Sequence, residues 1–402
     1  MKCNINSEYE KLRVVIVHEP GNEIERLAPS NMNQLLFEDI PYLKKMIKEH
    51  KGFVRLLKRN GVKPLEFKEL LMEILKDDGV KEKLIDKCIE LEGCYGMKNK
   101  RFLSCLEPEE IAEVFFSGIT YNESNRKPIE RMTRVLRMFL ISPLPNSYYT
   151  RDSNAIIRYG IVPCRMKYLV RDREALFMKF IFKFHPFFRK KAIFCYREKK
   201  EETMLHTIEG GDIIVLNRST VLIGNSGRTE SYAIEKLAGN LFEHDIVDTV
   251  YEVKIPPRSI YGHLDSVFSI ISEDIILFYP DVFHEDFEIG LYRPSLIHGK
   301  IVAKKEARIC KLKEVLSDNL GNDIIPLKTG GGDIHYSERE QFTADGTNIL
   351  AISPKRVISY IRNEKTNQEL EDYGVKVITI EGSELVRGRG GPRSMIMPVI
   401  RG

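Results

Sequence analysis

The chain has 402 residues, a formal net charge of +4 and 30% charged residues, length enough for a sizeable core or for two domains. Its hydrophobic content of 43% is that of an ordinary globular protein and argues against disorder. The mild charge sets nucleic acid aside, no apolar run is long enough to span a bilayer, and Met-Lys-Cys-Asn at the start lacks the apolar core of a signal peptide, so the cytoplasm is the expected compartment.

Leu12 to His18 reads as a strand stopped by Pro20-Gly21, and a long helical pattern follows with Leu35, Leu36, Ile40, Leu43, Met46 and Ile47 on one side and Gly61 near its end. From about Glu66 to Phe139 the texture becomes Leu-, Lys- and Glu-rich at helical spacing, with few β-branched runs. We read 66–139 as a helical insertion between 1–65 and 140–402. After Pro143 the strands return as a weak repeat. Ile213–Leu216 with Val221–Gly224, Val267–Ile271 with Ile275–Tyr279, and Asn348–Ile352 with Val357–Tyr360 each read as a hairpin about a polar turn. Helical stretches follow them at 229–242, 303–316 and 366–373. Such units cannot bury both faces alone, so an α/β fold repeating around a common centre is expected. A doubly wound sheet is the alternative, and the hairpins disfavour it because parallel strands need crossovers.

Polar residues beside glycine gather at the ends of these strands: Asn146 to Asp152, Glu209-Gly-Gly-Asp212, His263-Leu-Asp265, Gly330-Gly-Gly-Asp333, and the closing loop Arg387 to Pro398. Burying a guanidinium is costly unless carboxylates accept its forked hydrogen bonds. Asp152, Glu209 and Asp265 supply three such acceptors, and His263 is a general acid and base two residues from Asp265. Singly, His263 reads as a satisfied core histidine and Glu209–Asp212 as a tight turn; together they favour a site for a planar cation. Seven scattered cysteines (Cys3, Cys88, Cys94, Cys105, Cys164, Cys195, Cys310) show no zinc-ligand spacing and read as reduced thiols. The basic stretch Arg189, Lys190, Lys191, Arg197, Lys199 and Lys200 is interrupted by Ala192–Phe194 and followed by Glu201 and Glu202, and it reads as a solvated face.

The combination resembles the arginine deiminases of the guanidino-group-modifying superfamily. His18-Glu-Pro-Gly21, Leu36 to Pro41, Glu49-His50, Thr150-Arg-Asp152, Glu209 to Asp212, His263-Leu-Asp265, Gly330 to Asp333 with Glu338 to Gln341, and Arg387 to Pro398 follow in family order over nearly the whole chain. The resemblance implies the pentein fold, a five-fold pseudosymmetric α/β propeller of ββαβ units, with a helical insertion. It also implies hydrolysis of L-arginine to L-citrulline and ammonia, without metal or organic cofactor, through a covalent amidino intermediate on the residue at 394. In that scheme Asp152 and Asp265 grip the guanidinium, Glu209 assists, and His263 moves the protons. Asn146, Arg171 and Arg228 hold the α-carboxylate and backbone, with Arg173 as the competing register for Arg171, and Arg389 positions substrate. The implied partner is L-arginine, with neither nucleic acid nor membrane, and self-association stays open.

Three positions depart from the family pattern: Ser153 for proline, Gly227 before Arg228 for glutamate, and Ser394 for the nucleophilic cysteine. A serine hydroxyl needs a dedicated base where a thiol ionises readily, and the loop offers only arginines nearby. The chain with Ser394 is therefore expected to bind arginine without turning it over. A deliberate exchange of the catalytic cysteine is the favoured explanation, because the cradle is otherwise complete. The alternative is a natural pseudoenzyme that binds or senses arginine.

Overall fold

The computed structural model describes residues 3–402 apart from 94–96, 125–137, 189–192, 195–205, 257, 259–260, 284–286, 308–309 and 322. Cys94, Cys195 and the basic stretch from Arg189 to Lys200 therefore lie outside the described residues.

One pattern repeats five times: two antiparallel strands, a helix, and a third strand parallel to the second. In the first unit Met397–Arg401 pairs with Leu12–Val17, which after the helix Leu43–Arg59 pairs in parallel with Lys63–Glu66. The second unit joins Asn154–Ile157, Gly160–Pro163, the helix Asp172–Phe184 and Ile193–Phe194. The third joins Ile213–Val215, Thr220–Asn225, the helix Ser231–Glu243 and Thr249–Lys254. Phe268–Ile270, Ile275–Phe278, the helix Leu312–Leu320 and Ile325–Lys328 form the fourth. Leu350–Ser353, Arg356–Tyr360, the helix Glu364–Asp372 and Lys376–Ile380 form the fifth. This is the α/β propeller of the pentein fold. Its strands are short apolar runs buried along most of their length, as strands covered by helices must be.

Two readings of the sequence need correction. The helical pattern assigned from Leu35 onward begins only at Leu43. Pro41 removes a backbone donor and disfavours helix at the residue before it. Residues 28–42 are instead turns and loop, with Leu36 at φ +64. The helix assigned to 303–316 starts at Leu312; Lys300–Lys305 is a strand pairing with Glu288–Ile297 in a hairpin that extends the third unit's sheet. Its Lys-Ile-Val-Ala-Lys-Lys sequence alternates poorly and sits half-exposed at an edge, which hid it.

Among the described residues between 66 and 139 four helices, Phe67–Leu75, Asp78–Glu92, Met97–Ser104 and Pro108–Ser117, contribute apolar residues to a cluster continuous with Phe177, Ile181 and Phe182 of the second unit. His18, at the end of the first strand, anchors this packing. Its ring stacks on Phe116 at 4.4 Å, and its two nitrogens face Glu23 at 3.0 Å and Glu66 at 3.2 Å. Arg173 turns the same way, its Nε 2.8 Å from Glu92. No helix among the described residues is long and apolar enough to cross a membrane.

Candidate active site

The segments flagged in the sequence become short 3-10 turns at matching places in the propeller. Pro145–Tyr148, Gly210–Asp212, Leu264–Ser266, Thr329–Gly332 and Leu385–Gly388 all take this form. Two of them, Gly210–Asp212 and Leu264–Ser266, run almost directly into the first strand of a unit, so the side chains beside them collect at one end of the fold. There Asn146, Ser266 and Gly388 line a cavity of about 560 Å³, while Gly210–Asp212 and Thr329–Gly332 contribute nothing to its lining.

Close backbone approach explains two of the glycines. A Cβ on Gly210 would stand 2.2 Å from the carbonyl oxygen of Arg151, and one on Gly211 would stand 2.7 Å from the imidazole of His263. The amide of Gly210 donates to Asp152 O at 2.8 Å. Asp212 then accepts from the Leu264 amide through Oδ1 and from Ser226 Oγ through Oδ2, both at 2.8 Å. The Glu209–Asp212 turn is thus sewn to both the Asp152 turn and the His263 turn.

His263 is buried at the centre. Nε2 lies 2.7 Å from Glu209 Oε2 and Nδ1 lies 3.6 Å from Asp152 Oδ1. Burial opposes its protonation, but the carboxylates of Asp152 and Glu209 prevail and raise its pKa to about 9. Burial likewise opposes ionisation of Glu209, yet Arg228 and His263 hold it below the usual carboxylate range. At neutral pH the pair is an imidazolium on a carboxylate.

Asp152 Oδ2 accepts from Arg171 Nη1 at 2.7 Å, and Asp265 Oδ2 accepts from Arg393 Nη1. The remaining oxygen of each, Oδ1, is buried without a hydrogen-bond partner. Burial pushes the Asp265 carboxyl up, against the pull of Arg393. Asp152, His263 and Ser394 line the cavity, whereas Glu209 and Asp265 stand behind the wall, fully buried. Donor atoms of Asp152, Glu209 and His263 lie within 4.8 Å of one another, a spacing that suits a metal ion. With its pKa raised to about 9, His263 carries a proton at neutral pH that a metal ion would have to displace.

Ser394 is 6% exposed. Its amide donates to Asn348 Oδ1 at 2.9 Å, and its carbonyl accepts from the Arg151 amide at 3.2 Å. Among the described residues no side chain hydrogen-bonds its Oγ, so no base is in place to activate it.

The expected cradle residues all line the cavity, each already engaged. Asn146 Nδ2 donates to Leu35 O at 2.7 Å. Arg171 is forked onto Glu174, its Nη2 2.8 Å from Oε2, besides its bond to Asp152. Arg228 reaches Glu209 at 3.3 Å and lies over the Tyr168 ring at 5.2 Å, an orientation reached with Gly227 in open space beside it. Arg389, at φ +62, pairs with Glu38 and lies 4.3 Å above the Phe342 ring. Of the two competing registers, Arg171 faces the cavity, while Arg173 faces Glu92. Ser153 Oγ closes its own turn on Thr150 O at 3.3 Å.

The sequence reading missed several participants. Asp345 lines the cavity, accepts from Gln341 Nε2 at 2.9 Å and sits at φ +46 as the end of the helix Ile334–Ala344. Its carboxyl is held well above the usual range by burial and by Asp265. Nothing local marked it, because a single Asp before Gly346 reads as an ordinary helix terminus. Glu49 was noted only as part of a motif; it accepts from the Glu384 amide at 2.9 Å and the Leu385 amide at 3.2 Å, bracing the loop that carries Arg389.

Comparison with known proteins identifies the family and the fold. A family model described as arginine deiminase matches residues 33–401. An arginine deiminase of Borrelia recurrentis is 38% identical over 410 residues, covering 99% of this chain and 98% of its own. One from Bacillus cereus is 35% identical over 408 residues, covering 99% and 98%. Among solved structures, an amidinotransferase from Microseira wollei superposes with a TM-score of 0.58 at 17% identity, covering 99% of this chain and 97% of its own. A dimethylarginine dimethylaminohydrolase from Pseudomonas aeruginosa, a cysteine-to-serine mutant complexed with citrulline, does so with 0.52 at 14% identity, covering 96% and 99%.

Proposed function

Because the chain belongs to the arginine deiminase family, we propose that its cavity is an L-arginine site, and that with Ser394 it binds arginine without hydrolysing it. The observation that carries this reading is that Asp152 Oδ1, on the cavity wall 3.6 Å from His263 Nδ1, and Asp265 Oδ1, behind that wall, are both buried without a hydrogen-bond partner. Buried carboxylate oxygens without partners are costly, and the forked donors of a guanidinium satisfy two at once. Asn146, Arg171, Arg228 and Arg389 supply donors for the α-carboxylate end.

With cysteine at 394, the same geometry supports the family's hydrolysis. The imidazolium of His263 favours a thiolate beside it. The thiolate sulfur attacks the central guanidinium carbon, and the resulting C–S bond is balanced by cleavage of one C–N bond. His263 gives its proton to the departing nitrogen, which leaves as ammonia. A water that returns a proton to His263 then attacks the amidino carbon, the C–S bond breaks, and citrulline is released. Glu209 keeps the imidazole aimed throughout and favours its return to the protonated state. A serine hydroxyl at 394 ionises far less readily than a thiol, and no base is bonded to it.

Titration of arginine into the protein by calorimetry is expected to give saturable binding with negligible citrulline. Ser394→Cys is then expected to raise citrulline formation by orders of magnitude. An inert cysteine variant that still binds arginine makes the chain an arginine-binding or sensing protein instead. Agmatine, which lacks the α-carboxylate, is expected to bind far more weakly, and tight agmatine binding overturns the arginine assignment. We further propose that 66–139 is an accessory helical unit on a catalytic body formed by 1–65 and 140–402.

A further inference from the structure

Beneath the cavity a single carboxylate gathers the residues that precede two of the site groups. Glu8, buried on the N-terminal segment, accepts from Arg151 Nη2 through Oε1 at 2.8 Å and meets Arg393 Nη2 through Oε2 at 3.3 Å. Arg151 is the neighbour of Asp152 and Arg393 the neighbour of Ser394. Arg393 also holds Asp265 Oδ2. Both guanidinium groups converge on the carbonyl of Ile213, at 2.8 Å from Arg151 and 3.4 Å from Arg393, and Arg151 Nε reaches Gly210 O at 3.3 Å. Glu8 is itself fixed by its amide, which donates to Val215 O at 3.0 Å.

We infer that Glu8 is a positioning residue for the arginine site, holding Arg151 and Arg393 together and thereby setting the placement of Asp152, Asp265 and Ser394. Two buried like charges stay adjacent only with a counter-charge between them. Burial disfavours the charged form of Arg151, and Arg393 adds to that repulsion. Without the Glu8 carboxylate the two guanidinium groups separate. Arg393 is the partner of Asp265 and joined by one peptide bond to Ser394, so its displacement carries both. A structural core residue, by contrast, would change global stability and leave the geometry of the site as it is.

The inference rests on the arginine-site reading, so its test includes a readout that needs no ligand. Three amides report the coupling directly: Arg151 to Ser394 O, Ser394 to Asn348 Oδ1, and Gly210 to Asp152 O. In Glu8→Gln, hydrogen exchange at these amides is expected to quicken roughly tenfold or more relative to the core strand Thr220–Asn225. Arginine affinity is expected to weaken about tenfold or more at unchanged binding stoichiometry. Glu8→Asp keeps the charge but shortens the reach, and it is expected to fall between parent and Glu8→Gln in both readouts; it serves alone if the amide variant does not fold. Exchange and affinity at parental values in the folded variant overturn the inference. A fall in stoichiometry at unchanged affinity also overturns it, since that marks a loss of folded protein. Faster exchange at the three amides in a protein whose parent binds no arginine upholds Glu8 and sinks the arginine reading instead.

Discussion

Glu209 Oε2 stands 2.7 Å from His263 Nε2, and with Asp152 it raises the pKa of that buried histidine to about 9. Removing that carboxylate should release the proton. In Glu209→Gln the His263 pKa is expected to drop from about 9 toward the ordinary value near 6.5, read by NMR titration of the ring. In the Ser394→Cys background, citrulline formation should fall by roughly a hundredfold. A ring that still titrates near the parental pH would show that Asp152 alone sustains the charge.

Stability should fall as pH rises. His18 and His263 both have pKa values raised to about 9, against burial, by flanking carboxylates: Glu23 and Glu66 for His18, Asp152 and Glu209 for His263. Since the folded values exceed the unfolded one, their contribution is complete below about pH 6.5 and is lost as pH climbs through 9. Each linkage is on the order of 3 kcal/mol. Chemical denaturation at a series of pH values should show a decline between neutral and pH 9.5, shallower in His18→Gln. A flat profile in the parent would refute it.

Gly211 tests how tightly the imidazole is seated. A methyl group there meets the ring at 2.7 Å, so Gly211→Ala should cost about 1–3 kcal/mol of stability. Arginine binding should weaken with it, because the ring or the Glu209 turn must shift. Parental affinity and melting temperature in that variant would mean the contact is slack.

Arg389 should matter for ligand and little for stability. Its partners Glu38 and Phe342 are more than half exposed, and such pairs contribute at most about 1 kcal/mol. Arg389→Ala is expected to leave the melting temperature within about 2 degrees and to weaken arginine binding roughly tenfold. Calorimetry beside a thermal melt separates the two effects. A large loss of stability with intact affinity would assign Arg389 to the loop rather than to the site.

Much of the fold was legible because the hairpins of the third, fourth and fifth units are local: runs of four or five residues about a polar turn. The first and second units hid for opposite reasons. One is assembled from strands at the two ends of the chain, and the other closes on Ile193–Phe194, only two residues beside a basic stretch. At the site, Glu209, His263 and Asp265 stood out by their place beside glycines at strand ends, and Asp152 by its place just before a strand. Glu8 was not, because a lone acid in Ser7-Glu8-Tyr9 has no local signature; its importance comes from two arginines that arrive from residues 151 and 393. The loop over the cavity was misread as helix because Leu35, Leu36 and Ile40 mimic helical spacing, and their apolar faces are in fact spent on burying Leu35 and lining the cavity at Leu36.

The pairing of Leu12–Val17 with Met397–Arg401 gives the chain a clasp. Closing so long a loop is among the slowest and entropically most expensive steps available to a chain. Ser394 lies three residues before the clasping strand, so the reacting position is delivered by the event that shuts the ring. Fraying of this seam would free the backbone that leads away from residue 394, leaving that residue held by its amide on Asn348 and its carbonyl on Arg151.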